Sequence, residues 1–383
     1  MLNTLVGYLI DINQSKHALS QQKIDQLIHQ FYEQLIVHAK KTNASDIHIE
    51  PLSTESRIRL RIDGVLHHLC TLPLVNHKQL VSKIKLLAHL DIAQKLLPQD
   101  GKLMFSQGIN ISMRISTCPT VKGEKIVLRL LESHQHALSI SALHMPRPIE
   151  YSFTQHLQQS QGLILITGPT GSGKTSTLYA ALHYLKQYKK NILTIEDPVE
   201  IQLDGINQVA INPKAQLTFA TALRAFLRQD PDIIMIGEIR DKETADIALQ
   251  AAHTGHLVLA TLHTNSCTET IHRLIQLQID YPLLISCLSL IISQRLLRKQ
   301  CRNCLGKCCN ECHDGYLGRK GIFEALSLTQ ELKDELRKKR HIDKKIAHLC
   351  SIYQPLIEQA QHLIQENITD EAEVRRVIIE HIF

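Results

Sequence analysis

Tryptophan is absent from this 383-residue chain, and aromatic residues make up only 4% of it. Platforms for stacking single-stranded nucleic acid are therefore poorly supplied. The most apolar stretch, Pro282 to Ser293, is too short to span a bilayer as a helix. The N-terminal MLNTLVGYLIDINQ has neither a basic start nor a small-residue cleavage site, so it does not read as a secretory signal. Blocks of like charge, tandem repeats, low-complexity tracts and an HExxH motif are all missing. The 43 Lys and Arg against 37 Asp and Glu give a net charge of +6, which reads as a solvated surface before it reads as an acidic-partner site.

Apolar residues are plentiful, at 44%, enough for two or three compact cores. Ten cysteines could mean disulfides in a small secreted protein. Here five lie between Cys301 and Cys312 of a long chain, a pattern that favours metal. Cys70, Cys118, Cys267, Cys287 and Cys350 are scattered and read as small core residues. The 22 histidines are mostly isolated.

Periodicity divides the chain. Ile24, Leu27, Phe31, Leu35 and Val37 recur at roughly helical spacing in a short N-terminal segment, residues 1–40. Residues 41–135 change character: RIRLRIDG alternates charged with apolar residues, and Asp63-Gly64 marks a hairpin turn. Residues 77–97 read as an amphipathic helix, and INISMRIS and KIVLRLL return to alternation. Pro146 and Pro148 punctuate a linker, 136–150. Over 151–300, the short apolar runs LILIT, NILTI, DIIMIG and HLVLATL alternate with helical stretches, the pattern of parallel strands with crossover helices in a RecA-like core. A tetracysteine insert is expected at 301–326, and helices over 327–383.

The sharpest motif is Gly168-Pro-Thr-Gly-Ser-Gly-Lys-Thr175, a P-loop that follows the apolar run LILIT and precedes a helical stretch. Its glycines let backbone N–H groups turn toward phosphates at a helix N-terminus. The phosphate-binding set is Gly168, Thr170, Gly171, Ser172, Gly173, Lys174, Thr175 and Ser176, with Lys174 reaching the β- and γ-phosphates and the Thr175 hydroxyl on Mg²⁺. Acids at neighbouring strand ends complete such a site. DIIMIGEIRD ends in Glu238, followed by Arg240 and Asp241, and NILTI runs into Glu196-Asp197-Pro-Val-Glu200. One acid can hold Mg²⁺ and the other polarise the attacking water; the bland alternative is a solvated turn at Asp197-Pro198. His256 and His263 flank HLVLATLH, either as structural residues or as sensors of a γ-phosphate.

Cys301-Arg-Asn-Cys304 and Cys309-Asn-Glu-Cys312 are two CxxC knuckles, and four thiolates suit a closed, structural Zn²⁺ site. Only four residues separate the knuckles, Cys308 competes as a ligand, and reduced thiols without metal are the alternative.

From Ala44 to Ala325 the chain resembles the secretion ATPases that power type II secretion and type IV pilus assembly, the general secretion pathway protein E type. The resemblance rests on ASDIHIEP, RLRIDGVL, LPQDGKL, MRIST, GEKIVLRLL, the P-loop, TIEDPVE, LRQDPDIIMIGEIRD, HTGHLVLATLHT, SQRLL and GRKGIFE. It implies an N-terminal PAS-like α/β domain, a RecA-like core and a C-terminal helical region with a four-cysteine zinc knuckle. It implies ATP and Mg²⁺ as ligands, Glu200 as the catalytic acid, and Glu238 as the family's own variant of the metal-organising Asp. By the same resemblance Arg240 stands beside these acids, Glu196, His256 and His263 contact nucleotide, and Arg114 and Arg129 reach a neighbouring subunit's nucleotide in a hexameric ring. The partner implied is an inner-membrane platform protein, with peripheral membrane attachment through it from the cytoplasmic side and no specific nucleic acid. With about 40 residues before ASDIHIEP, the larger N-terminal docking domain of many members is expected to be missing or severely cut.

Overall fold

A computed structural model describes residues 20–106, 108, 110–131, 139–339, 342 and 347–378. The N-terminal segment before residue 20, residues 136–138 of the expected linker, and residues 340–341, 343–346 and 379–383 of the expected helical region lie outside the described residues. The chain forms two compact units, one containing the chain up to Ser133 with Cys309–Asp314, the other the remainder.

In the first unit, α1 (Gln21–Lys41) buries Ile28, Phe31, Tyr32, Leu35, Ile36 and Ala39, the i, i+3, i+4 stripe of an amphipathic helix. Ile24, Leu27 and Val37 lie at the margin of that stripe. Among the described residues this unit carries a six-stranded antiparallel sheet in the order β3-β2-β1-β6-β5-β4. Its strands are β1 (Ala44–Pro51), β2 (Glu55–Ile62), β3 (Val65–Pro73), β4 (Gln99–Ser106), β5 (Asn110–Thr120) and β6 (Gly123–Leu131). β2 alternates as the sequence predicts, with Ile58, Leu60 and Ile62 buried. Asp63 and Gly64 both have positive φ, 48° and 85°, as a two-residue type I′ hairpin requires.

The helix expected over 77–97 is shorter and earlier. α2 spans Leu74–Leu87, and the chain beyond it is a braced loop. The Asp91 carboxylate accepts from the amides of Ala93 and Gln94, and the Gln99 side-chain amide donates to the carbonyls of Asp91 and Gln94. Such local side-chain bonds compete with helix.

Among the described residues the second unit carries a seven-stranded sheet, in the order β13-β12-β7-β11-β10-β8-β9. β7 (Gly162–Thr167), β8 (Ile192–Glu196), β9 (Asn207–Ala210), β10 (Ile233–Ile236), β11 (Leu257–Leu262) and β12 (Leu288–Gln300) run parallel, and β13 (Tyr316–Ser327) closes one edge antiparallel. Both faces are covered, which explains runs of apolar residues in place of alternation. On β7, Leu163 and Leu165 enter one core with α6 (Lys242–His253) and α7 (Cys267–Gln276). Ile164 and Ile166 enter another, with α3 (Arg147–Leu157) and α4 (Lys174–Lys186). Each such side chain contributes about 1.5–3 kcal/mol of burial.

α3 begins directly after Pro146, so the end of the expected linker is already helix. The apolar stretch Pro282 to Ser293 divides between α8 (Tyr281–Cys287) and β12, and no helix among the described residues is long and apolar enough to cross a membrane. Residues Tyr316 to Glu324, which show no clear sequence period, are strand. Beyond them come α9 (Gln330–Lys339), α10 (Leu356–Gln365) and α11 (Glu371–Val377). α11 is clasped to β12 by Arg298, whose guanidinium lies 2.8 Å from the buried Glu373 carboxylate.

Candidate nucleotide site and four-cysteine cluster

β7 is central in its sheet, and the loop at its carboxyl end leads into α4. Ligand sites of open parallel sheets lie at such strand ends. Gly168, Gly171 and Gly173 all have positive φ, which turns the intervening amides inward. At Gly168 a side chain is impossible on a second ground: a Cβ would stand 2.6 Å from the Gln294 carbonyl oxygen and 2.5 Å from Ser172 Oγ. Lys174 Nζ donates to the carbonyls of Gly168 (2.7 Å) and Pro169 (3.1 Å), so the loop curls round the ammonium. Burial pushes this ammonium down to about 8; Glu238 opposes the shift and Arg295 adds to it. Ser172 Oγ is buried with no hydrogen-bond partner, an orphan group inside the cradle. Thr170, Thr175 and Ser176 are exposed beside it. A concave run of amides, a helix N-terminus, a lysine and an unpaired hydroxyl are the chemistry that a polyphosphate needs.

The acids stand on adjacent strands. Glu238 follows β10; its carboxylate pairs with Arg240 and lies 3.4 Å from His263 Nε2, at the carboxyl end of β11. Arg240 also approaches Asp197, at 3.8 Å. Burial and the Lys174 charge hold His263 below the usual histidine range. Lys174, Glu238, Arg240 and His263 thus share one end of the sheet. Glu200 is half-buried in the loop after β8, its amide 3.3 Å from the Tyr179 hydroxyl.

His256 sits elsewhere. β7 and β11 pair in parallel, Gly162 with Leu257 and Thr167 with Leu262, so the residue before Leu257 lies at the end of the sheet remote from the P-loop, roughly six strand rises or ~20 Å away. Its Nδ1 is 2.9 Å from the Ala251 carbonyl oxygen. A direct γ-phosphate contact by His256 is incompatible with this register. Glu196, at the end of β8, is also withdrawn: its buried carboxylate accepts from Tyr179, Thr194 and Gln208.

Sequence reasoning passed over Gln294. Its side chain donates to the Ser172 carbonyl (2.7 Å) and accepts from the Thr177 hydroxyl (2.8 Å), buttressing the P-loop and the first turn of α4. Arg295 beside it is buried and holds Asn265 at 2.8 Å. The signal was available: Ser-Gln-Arg interrupts the apolar run of a central strand, and buried polar groups there need partners.

In the first unit Arg114 and Arg129 are cross-strand neighbours on β5 and β6. Arg129 Nε donates to the buried Asp46 carboxylate at 2.8 Å, and Arg61 stands 3.6 Å from the same group. Lys102 on β4 pairs with Arg114, so a row of cations crosses this face.

The cysteine loop groups four of its five thiols. The sulfurs of Cys301, Cys304, Cys309 and Cys312 all lie within 4.8 Å of one another, and those of Cys309 and Cys312 are 3.7 Å apart. Sulfurs about 2.3 Å from a tetrahedral ion would be about 3.8 Å apart, so the four fit a metal. Cys308 is exposed, has positive φ and does not belong to the group.

A model of the type II/IV secretion system protein family matches residues 21–376. The chain belongs to this family. As a family member it is 44% identical over 362 residues to a HofB protein-transport homolog of Haemophilus influenzae, covering 94% of this chain and 75% of that one. It is 44% identical to the type IV pilus assembly ATPase PilB of Acinetobacter baylyi over 79% of this chain and 58% of the relative. Among solved structures it resembles the pilus retraction motor PilT with bound ADP (28% identity, TM-score 0.65, covering 91% of this chain and 97% of that one). It also shares the fold of Yersinia pseudotuberculosis DotB (24% identity, TM-score 0.72, 92% and 94% coverage). Membership of this family of secretion ATPases supports ATP hydrolysis in general terms and an α/β P-loop fold.

Proposed function

We propose that the protein is a Mg-ATP-hydrolysing motor that assembles into a homohexameric ring and drives assembly of a pilus or pseudopilus at the inner membrane. One observation carries the reading: a lysine-bearing phosphate cradle opens at the same sheet end as Glu238 and His263, with Glu200 on the adjoining loop. Lys174 and the loop amides bind the phosphates; the Thr175 hydroxyl and Glu238 hold Mg²⁺. When bound, that ion neutralises charge on the β- and γ-phosphates. In hydrolysis a water oxygen bonds to the γ-phosphorus, the bond to the ADP oxygen breaks, and the Glu200 carboxylate accepts the water proton. Arg114 and Arg129 are assigned to a neighbouring subunit's nucleotide.

We likewise infer a PAS-like unit, an ATPase core, a metal-binding cysteine loop and C-terminal helices. Native complexes isolated from membranes are expected to retain a polytopic inner-membrane protein. An ATPase that instead associates with DNA and is stimulated by it in a strongly salt-dependent way would contradict this assignment.

The cysteine cluster is proposed to hold one structural Zn²⁺ per chain. In small zinc domains such binding is worth about 10–16 kcal/mol. Cys304→Ser should lose the metal and unfold the loop while the nucleotide site persists, and Cys308→Ser should retain it. Elemental analysis showing no metal in protein purified without chelators would refute the zinc.

A further inference from the structure

The Tyr179 hydroxyl is fully buried and does three things at once. It donates to Glu196, and it accepts from the backbone amides of Glu200 (3.3 Å) and Ile201 (3.5 Å). Glu196 in turn accepts from Thr194 Oγ1 (2.7 Å) and Gln208 Nε2 (3.1 Å). Gln208, on β9, returns to the same loop: its Nε2 donates to the Ile201 carbonyl (3.0 Å) and its Oε1 accepts from the Leu203 amide (2.6 Å). Four backbone groups of the segment that carries Glu200 are therefore held by side chains converging on one buried carboxylate. Burial and the Glu196 charge push the Tyr179 hydroxyl well above the usual tyrosine range, so it stays a donor to Glu196. A hydroxyl that donates to a carboxylate is polarised into a better acceptor, which strengthens the two longer amide contacts.

Tyr179 stands on α4, the helix that begins at Lys174. Five residue steps along the helix, about 7.5 Å of rise, lead from the lysine to the tyrosine. We infer that Tyr179 is a positioning residue that ties the Glu200 loop to the P-loop helix through Glu196 and Gln208, and that Glu196 serves as the anchor of this tether. The inference rests on the reading of Glu200 as the acid that receives the water proton. A misplacement of about 1 Å in such a group can cost about 10²-fold in rate.

Tyr179→Phe removes only the hydroxyl. It should lower kcat by roughly 10- to 100-fold while KM and directly measured ATP affinity change less than about threefold, because the cradle formed by Gly168 to Thr175 is untouched. The same substitution made in Glu200→Gln should change the residual hydrolysis by less than about twofold, since the group it positions is already disabled. Gln208→Ala, which loosens the same loop from β9 without altering α4, should show the same split, and it serves if Tyr179→Phe fails to fold. Turnover near wild type in Tyr179→Phe or Gln208→Ala would overturn the tether. So would a loss that multiplies fully with that of Glu200→Gln, which would mean that the hydroxyl serves the fold alone. Failure of the Glu200 reading itself is seen separately, as unimpaired hydrolysis in the Glu200→Gln single variant.

Discussion

Glu200→Gln is expected to bind ATP as well as the wild type and to lose about 10²–10⁴-fold in steady-state phosphate release, the usual contribution of a positioned general base. Lys174→Ala should fail earlier, at binding. Its ammonium sits inside the curled loop, and a charge-assisted phosphate contact is worth about 3 kcal/mol, roughly 10²-fold in affinity. The two variants thus separate cradle from chemistry, and isothermal titration beside a phosphate-release assay reads both. Hydrolysis near wild type in Glu200→Gln would move the catalytic role to Glu238. Glu196 is a poor substitute, because Tyr179, Thr194 and Gln208 already occupy its oxygens.

Mixing two inactive proteins should restore activity if sites are shared between subunits. One protein carries Arg114→Ala with Arg129→Ala; the other carries Lys174→Ala. Some interfaces of the mixed rings then pair an intact P-loop with intact arginines. An arginine supplied from outside neutralises charge developing on the transferred phosphoryl group, an effect of about 10³–10⁵ in rate where arginine fingers are known. The structure distinguishes the two arginines. Arg129 is bonded to buried Asp46, so Arg129→Ala should also destabilise the first unit, by about 1 kcal/mol given its half-exposed side chain. Arg114→Ala is the cleaner probe. No recovery in rings shown by light scattering to have exchanged subunits would mean that each site is complete within one chain.

The parts of the fold written in contiguous residues were legible. The P-loop, the Asp63-Gly64 turn and the apolar runs of the parallel sheet each announce themselves within a short stretch of chain. Elements whose sequence lacks a clean period were not. β4, QDGKLMFS, has polar residues and a glycine at its start, and only Leu103 and Phe105 face the core; the first half of β13, YLGRKG, likewise has no buried residue. The helix expected over 77–97 ends at Leu87, and the leucines at 86, 96 and 97 are exposed although apolar, so apolar character alone does not mark a buried helix face here. His256 could have been placed from the parallel order alone. It precedes its apolar run, whereas sites in such sheets gather where the runs end. The direction of Glu196 was beyond reach, since sequence does not say that Tyr179, 17 residues before it, brings its hydroxyl to that carboxylate.

The central claim is that this cradle turns ATP over. Its most direct test is steady-state phosphate release by the wild-type protein with saturating ATP, with Mg²⁺ and then with the ion chelated. Sustained release that requires Mg²⁺ and falls to background in Lys174→Ala is the expected result. Tight ATP binding with no release above that background, Mg²⁺ present and the protein folded, would contradict it and leave a nucleotide-binding scaffold in place of a motor.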